Sequence, residues 1–363
     1  MRFPIDEIWI DEDAVDEPVV REVVRRLPGS AILTGDAARE AAAALANLSD
    51  PFSKGKRVLR LMRHRGEFVK PCPGTRGYVC CGLDILHIGQ GCPMDCRYCA
   101  LQAYFNRPVL ELFVNIDGML ADLRGYLTRH PKKFHRICTG EFTDSLALDP
   151  LSGLAARLVE LFSEVENASL EFKTKTDFIG PLLDLNPTGR IVLSWSVNSG
   201  LISGSEEKGA TALTGRLAAA AKAVEKGYLV GFHFDPIIPH PVWSEHYLRT
   251  VDRVFRTVDS SRIAWISLGV LRFVARLKEI VRTRHGPVRY FHDGFITGLD
   301  GKSRIPVDRR IAIYRVIVDR IRQHHANARV YLCMESAHVW KEALGIDMDS
   351  DEALGAYLEA AFP

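Results

Sequence analysis

From about residue 84 the chain repeats one theme: a short β-rich run, a polar turn, then a stretch with helical apolar spacing. This alternation is the pattern of parallel βα units, because parallel neighbours need a crossover long enough to hold a helix. Six runs fit: DILHIG at 84–89, HRICTG at 135–140, SLEFKTK at 169–175, IVLSWSVN at 191–198, LVGFHFDPI at 229–237 and RIAWISLG at 262–269. Between them, IDGMLADLRGYLTRH and TGRLAAAAKAVEKG carry the spacing of amphipathic helices, the second stopped by Gly227. Six units with right-handed crossovers predict an α/β fold, a partial (β/α)6 barrel with ligands at the C-terminal ends of its strands.

The barrel is expected over 84–284, with an N-terminal extension at 1–83 and a C-terminal extension at 285–363. The first holds an acidic start, an alanine-rich helix at 36–47 and the basic run KGKRVLRLMRHR at 54–65. The second holds the loop DGFITGLDGKSR, a helix at 307–324 and a last strand, RVYLCME. Hydrophobic residues at 47% and charged residues at 25% are those of an ordinary globular protein. A net charge of +2 does not announce a nucleic-acid partner, which must be sought in local patches. The acidic start is no secretory signal, and no stretch is apolar enough to span a bilayer, so no membrane partner is expected. Eight cysteines in 363 residues are too few for a disulfide scaffold, and their clustering points to metal ligation in a reducing, cytoplasmic compartment.

The cluster is GCPMDCRYCALQ at 91–102, which places Cys92, Cys96 and Cys99 just after the first strand, at the barrel mouth. Thiolates suit iron–sulfur clusters and zinc, and three of them leave one metal position for an exchangeable ligand. A structural zinc completed by a distant residue, or three unrelated core thiols, are the plainer alternatives. Cys72, Cys80 and Cys81 in KPCPGTRGYVCCG fit no zinc pattern and are expected to pack against the barrel floor.

Cys-x3-Cys-x2-Cys after strand one of a βα repeat resembles the radical S-adenosylmethionine (SAM) superfamily. There, three cysteines hold a [4Fe–4S] cluster and SAM chelates the open iron. Further, CRYCALQ, CTGEFTDSLALD, EFKTKTDF, SWSVNS, KGYLVGFHFDPI and LRF occur in the order and spacing of the spore photoproduct lyase family, over roughly residues 70 to 335. The resemblance implies a radical SAM lyase that reverses a methylene-bridged thymine dimer in DNA.

Matched residue by residue, it implies Cys92, Cys96 and Cys99 as cluster ligands and Cys138 as the hydrogen donor that quenches the thymine-derived radical. Glu141 is implied to receive the SAM amino group, Lys175 to answer its carboxylate, and Ser196 and Asn198 to hold SAM at the fourth strand end. Tyr98 matches a tyrosine that passes a hydrogen atom back toward SAM; Ala100 stands where the family carries a second tyrosine, so a two-tyrosine relay is not expected. Arg272 matches an arginine near the lesion pocket, and Lys302 and Arg304 lie in an element that resembles the family's duplex-opening turn, with Ile305 where an aromatic is usual. Arg309, Arg310 and the 54–65 run are candidate phosphate contacts. The partners implied are damaged duplex DNA and a reductase or flavodoxin/ferredoxin-type electron donor, and a monomer is expected. Two other functions stay open at this point: a radical SAM enzyme of the same family acting on another base or a small molecule, and a non-catalytic, metal-stabilised nucleic-acid-binding protein.

Overall fold

The computed structural model describes residues 4–75, 77–292 and 294–362. Its central sheet takes the six expected strands in chain order: β1 (Asp84–Leu86), β2 (His135–Cys138), β3 (Ala168–Thr174), β4 (Ile191–Ser196), β5 (Leu229–Ile237) and β6 (Ile263–Val270). A seventh parallel strand, β7 (Val330–Leu332), joins beyond β6, and Val69–Pro71 adds an antiparallel edge beside β1. Both outer strands come from stretches expected to be extensions, so the sheet is wider than its βα repeat. The strand expected in RVYLCME thus belongs to the barrel sheet, whereas the edge at 69–71, only three residues long, carries too little periodicity to announce itself.

Alternation along these strands separates two environments. Leu170, Phe172, Leu193, Phe232, Ile266 and Leu268 face outward into the main apolar core. That core is completed by helices such as Ile116–Arg129, which buries Met119, Leu120, Leu123 and Leu127 along one stripe. The other face is polar and curls into a lumen. There, His233 meets Glu171 at 2.7 Å and the Trp265 indole N–H donates to the same carboxylate at 3.3 Å. The Arg136 guanidinium lies 5.0 Å from the Trp265 ring centroid. Burial would raise the Glu171 carboxyl, but His233 and Lys173 outweigh it and bring it down to about 2. Gly231 makes the stacking possible: a β-carbon there would stand 2.4 Å from the Ser194 hydroxyl and 2.8 Å from the Trp265 indole nitrogen.

The N-terminal residues build a second sheet in the order Ala31–Thr34, Glu7–Ile10, Val58–Met62, Leu110–Phe113 and Gly89–Gln90. Its last two members lie within the barrel's own stretch of sequence, so the two sheets are continuous through the chain between β1 and β2. The basic run and the acidic start face each other across this sheet. Arg60 pairs with Asp11 at 2.8 Å and Arg65 with Asp13 at 2.9 Å, while Arg57 reaches Asp6 and Arg63 reaches Glu17. The solvent-facing pairs among them, such as Arg57–Asp6 and Arg65–Asp13, add little to stability, yet all four commit those arginines internally.

At the barrel mouth, Arg272–Phe273, Ser303–Arg304 and Ile296–Thr297 form a small antiparallel sheet whose turn carries the exposed Leu299. Among the described residues, no helix is long and apolar enough to cross a membrane.

Candidate active site

The loop after β1 is held at many points. Asp95–Cys96 pairs antiparallel with Glu207–Lys208, and the Arg97 N–H donates to the Glu206 carbonyl at 3.0 Å. Lys56 donates to the Cys92 carbonyl at 2.9 Å, and the Gln102 amide donates to the Cys96 and Cys99 carbonyls at 3.1 and 3.4 Å. With its backbone so satisfied, the loop presents Cys92, Cys96 and Cys99 to one cavity of about 620 Å3 at the C-terminal ends of the strands. Glu141, Lys173, Lys175, Ser196, Arg272 and Lys302 stand on the same wall.

The donor set suits an iron–sulfur cluster. Burial pushes the Cys92 thiol up to about 12 and raises the Cys96 thiol well above its ordinary range, so cluster binding would have to displace their protons. Among the described residues, no three His, Cys, Asp or Glu side chains stand close enough to hold a single ion. A cubane cluster asks for the looser arrangement, because each thiolate binds a different iron.

Three pairs that sequence reading missed fix the wall. Lys173 is ion-paired with Glu141, which keeps the ammonium charged despite burial. Asp144, half-buried in the loop after β2, accepts the Lys175 N–H and the Thr174 hydroxyl, each at 2.7 Å, and so ties the end of β3 to that loop. Asp235 grips Arg272 through both guanidinium nitrogens, at 3.2 and 3.0 Å. Gly269 leaves room for that grip, since a β-carbon there would stand 2.6 Å from the Asp235 carboxyl carbon. The signal for Lys173 and Asp235 was present: each is a charged residue at an inward position of an otherwise apolar strand.

Tyr98 is buried with its hydroxyl on Glu207, and the Lys175 ammonium lies 5.9 Å from its ring centroid. Burial, then the Glu207 charge, push the phenol well above its usual range, so Tyr98 keeps its proton. The neighbouring Ala100 also lines the cavity. Cys138 faces the lumen, not the outer helices, but is fully buried and lies outside the cavity lining. Its sulfur accepts the Gly140 N–H at 3.3 Å, and the charges acting on it are Glu171, Lys173 and Glu141.

Other candidates are placed elsewhere. Asn198 is buried, donating to the Pro236 carbonyl at 3.0 Å and accepting from the Ser199 N–H and the Tyr247 hydroxyl; its polar atoms are spent on the backbone and Tyr247. Arg304 is buried against Asp300 at 2.8 Å, with its guanidinium 4.1 Å from the Tyr78 ring centroid. Arg310 is buried against Glu335 at 2.9 and 3.0 Å. Lys302 keeps a position on the cavity wall, 3.5 Å from Asp300.

Three clustered thiols in the loop after the first strand of a partial parallel barrel, opposite strand-end charges, are the plan of a radical SAM barrel. A family model for spore photoproduct lyase matches residues 84–290, more than half of the chain. The chain belongs to the spore photoproduct lyase family. It is 27% identical over 204 residues to a spore photoproduct lyase of Geobacillus sp. (strain Y412MC61), covering 54% of this chain and 59% of that one. Against that of Bacillus subtilis (strain 168) it is 28% identical over 165 residues, 45% of this chain and 48% of that one. It thus spans about half to three-fifths of the length of these relatives. In fold it resembles a spore photoproduct lyase mutant solved with dinucleoside spore photoproduct, with a TM-score of 0.82 at 22% identity over 92% of this chain and 100% of that one. A second mutant, with bound AdoMet and dinucleoside spore photoproduct, gives a TM-score of 0.78 at 21% identity over 91% of this chain and 99% of that one.

Proposed function

We propose that the chain is a radical SAM lyase that splits the methylene-bridged thymine dimer in DNA. The observation that carries this reading is the convergence of Cys92, Cys96 and Cys99 with Glu141, Lys175, Ser196 and Arg272 on one cavity. When bound there, a [4Fe–4S] cluster and SAM supply a 5′-deoxyadenosyl radical, the agent that removes hydrogen from the substrate.

The rest falls to the chain's own side chains. Lys175 offers a charge-assisted hydrogen bond to the methionyl carboxylate, while Glu141 and Ser196 accept from the amino group and ribose. Asp144 fixes the Lys175 backbone, so that ammonium starts from a rigid strand end. Arg272, held flat by Asp235, is the cavity-wall guanidinium that meets the lesion. Cys138, protonated because burial lifts its thiol far above the ordinary range, is the hydrogen donor for the thymine radical. Its full burial requires Lys173 and Glu141 to part before the sulfur meets substrate. Damaged DNA and a small reductase or flavodoxin/ferredoxin-type protein are the partners, and the chain acts as a cytoplasmic monomer.

Incubation of the anaerobically reconstituted protein with SAM, reductant and dimer-containing DNA is expected to restore thymine. Formation of 5′-deoxyadenosine with no loss of the dimer would sink the reading. Lys175→Ala is expected to weaken SAM binding by about tenfold or more, the worth of one charge-assisted bond, with iron content unchanged. Calorimetric SAM titration checks it, and unchanged affinity removes Lys175 from the site. Cys138→Ala is expected to leave 5′-deoxyadenosine formation intact while diverting the thymine radical to by-products, read by chromatography of the digested DNA. Clean repair by that variant returns Cys138 to a packing role.

One observation favours a second reading, the same chemistry on another base or a small molecule: Arg57, Arg60, Arg63, Arg65, Arg304 and Arg310 all pair internally instead of facing a duplex.

A further inference from the structure

Four cysteines stand apart from the site above. Cys72, Cys80, Cys81 and Cys333 line one cavity of about 410 Å3, and all four are free thiols. Sequence reading considered only the first three, because Cys333 lies at the far end of the chain. The fold brings it to them at the seam of the barrel. Residues 72–83 connect the antiparallel edge Val69–Pro71 to β1, and this loop reaches across to the other edge of the sheet. Val79 makes an isolated bridge with Glu335, the Cys80 N–H donates to Asp351 at 2.7 Å, and the Thr75 hydroxyl lies 3.2 Å from the Met334 sulfur.

Cys81 is the hub, within electrostatic reach of Cys72, Cys80 and Cys333. Two guanidinium groups face the set: Arg272 lies 3.4 Å from the Cys333 sulfur and also acts on Cys80, and Arg136 acts on Cys81. Burial nonetheless raises the Cys72, Cys80 and Cys333 thiols, so metal binding would have to displace their protons. Cys81 and Cys333 also pack against the main core, yet all four thiols border the cavity. A structural zinc site closes tightly, with four sulfurs at about 2.3 Å from one ion. The described residues contain no group arranged for a single ion, and the cavity exceeds what one ion needs. An inorganic cubane has the required bulk and takes its thiolates on separate irons.

We propose that Cys72, Cys80, Cys81 and Cys333 hold a second iron–sulfur cluster, which staples the two edges of the open barrel together. Cys72 and Met334 lie on the walls of both cavities, so the second cluster would adjoin the first site. The assignment stands on its own residues and does not depend on which substrate the first site takes.

The test uses the full chain, reconstituted anaerobically with iron and sulfide. A Cys92→Ala/Cys96→Ala/Cys99→Ala protein is expected to keep about half of the parent's iron and acid-labile sulfide, because one of two cubane sites survives. A Cys72→Ser/Cys80→Ser/Cys81→Ser/Cys333→Ser protein is expected to keep the other half and still respond to SAM in its electron paramagnetic resonance spectrum. Background iron in the first variant overturns the proposal, as does one zinc per chain without sulfide. Should either variant fail to fold, the unaltered protein decides. Iodoacetamide is expected to modify Cys72, Cys80, Cys81 and Cys333 more slowly in the reconstituted than in the iron-stripped protein, and equal rates overturn the assignment.

Discussion

A Cys96→Ala protein is expected to lose SAM cleavage by more than about 100-fold, beyond the ~10–100-fold that loss of an outer-shell partner costs a metal site. Cys96 is the most enclosed of the three cluster-loop thiols, fixed through its own backbone pairing to Glu207 and through its carbonyl to Gln102. Alanine would leave that scaffold unchanged while removing one sulfur from an iron. The measurement is 5′-deoxyadenosine released under reducing, anaerobic conditions, with circular dichroism as a check that the fold persists. Parent-level 5′-deoxyadenosine from the variant would show that the ligands lie elsewhere.

The second large effect is expected from a residue that touches no sulfur. Glu207 is buried and takes a hydrogen bond from the buried Arg216 at 2.5 Å, another from Ser203 at 3.2 Å, and the Tyr98 hydroxyl. Arg216 in turn donates to the Ser196 and Thr211 carbonyls at 2.9 and 2.7 Å. Glu207→Ala strands a guanidinium in the interior, which costs about 3–5 kcal/mol. Urea denaturation checks this, and a midpoint equal to the parent's would show that Arg216 finds water. Burial tends to raise the Glu207 carboxyl, but Lys175, Arg216 and Tyr98 together hold it below its ordinary value. The sign follows: the pair's contribution is complete above the ordinary carboxylate range and is lost as pH falls through the depressed folded value. Glu207→Ala should therefore flatten the acid limb of the stability profile as well as lower it.

The barrel was legible because its strands are long enough to show their character and are separated by helices with clean apolar stripes. The six expected runs coincide with β1 to β6, and the three-cysteine loop falls where the first strand ends. What escaped were features that depend on curvature. Glu171, Lys173, His233 and Asp235 look out of place in apolar strands until the sheet curls and their face becomes a polar lumen. β7 reads as a strand of the C-terminal extension, because nothing in its three residues shows that it pairs with β6, and Cys333 just beyond it is therefore not joined to Cys72. The basic run 54–65 suggested phosphate contacts; its partners at Asp6, Asp11, Asp13 and Glu17 lie some fifty residues earlier and meet it only through parallel pairing in the N-terminal sheet. Asn198 reads as a polar strand end, yet the chain beyond it turns inward and uses the amide to hold its own backbone.

The loop over 72–83 sets the order in which the molecule closes. Neighbouring strands meet across short stretches of chain, as the Lys173–Glu141 contact does with its partners 32 positions apart. The partners of the Cys80–Asp351 contact are 271 apart. Loop-closure entropy grows by about 0.6 kcal/mol for each doubling of length, so this contact carries about 2 kcal/mol more than a strand-to-strand step. Pairing can zip from β1 toward β7 through local steps, while the two edges join last, when the whole sheet already stands. On a ribosome, the N-terminal sheet and most of the barrel can assemble during synthesis, but the seam waits for the stretch around Asp351 to emerge.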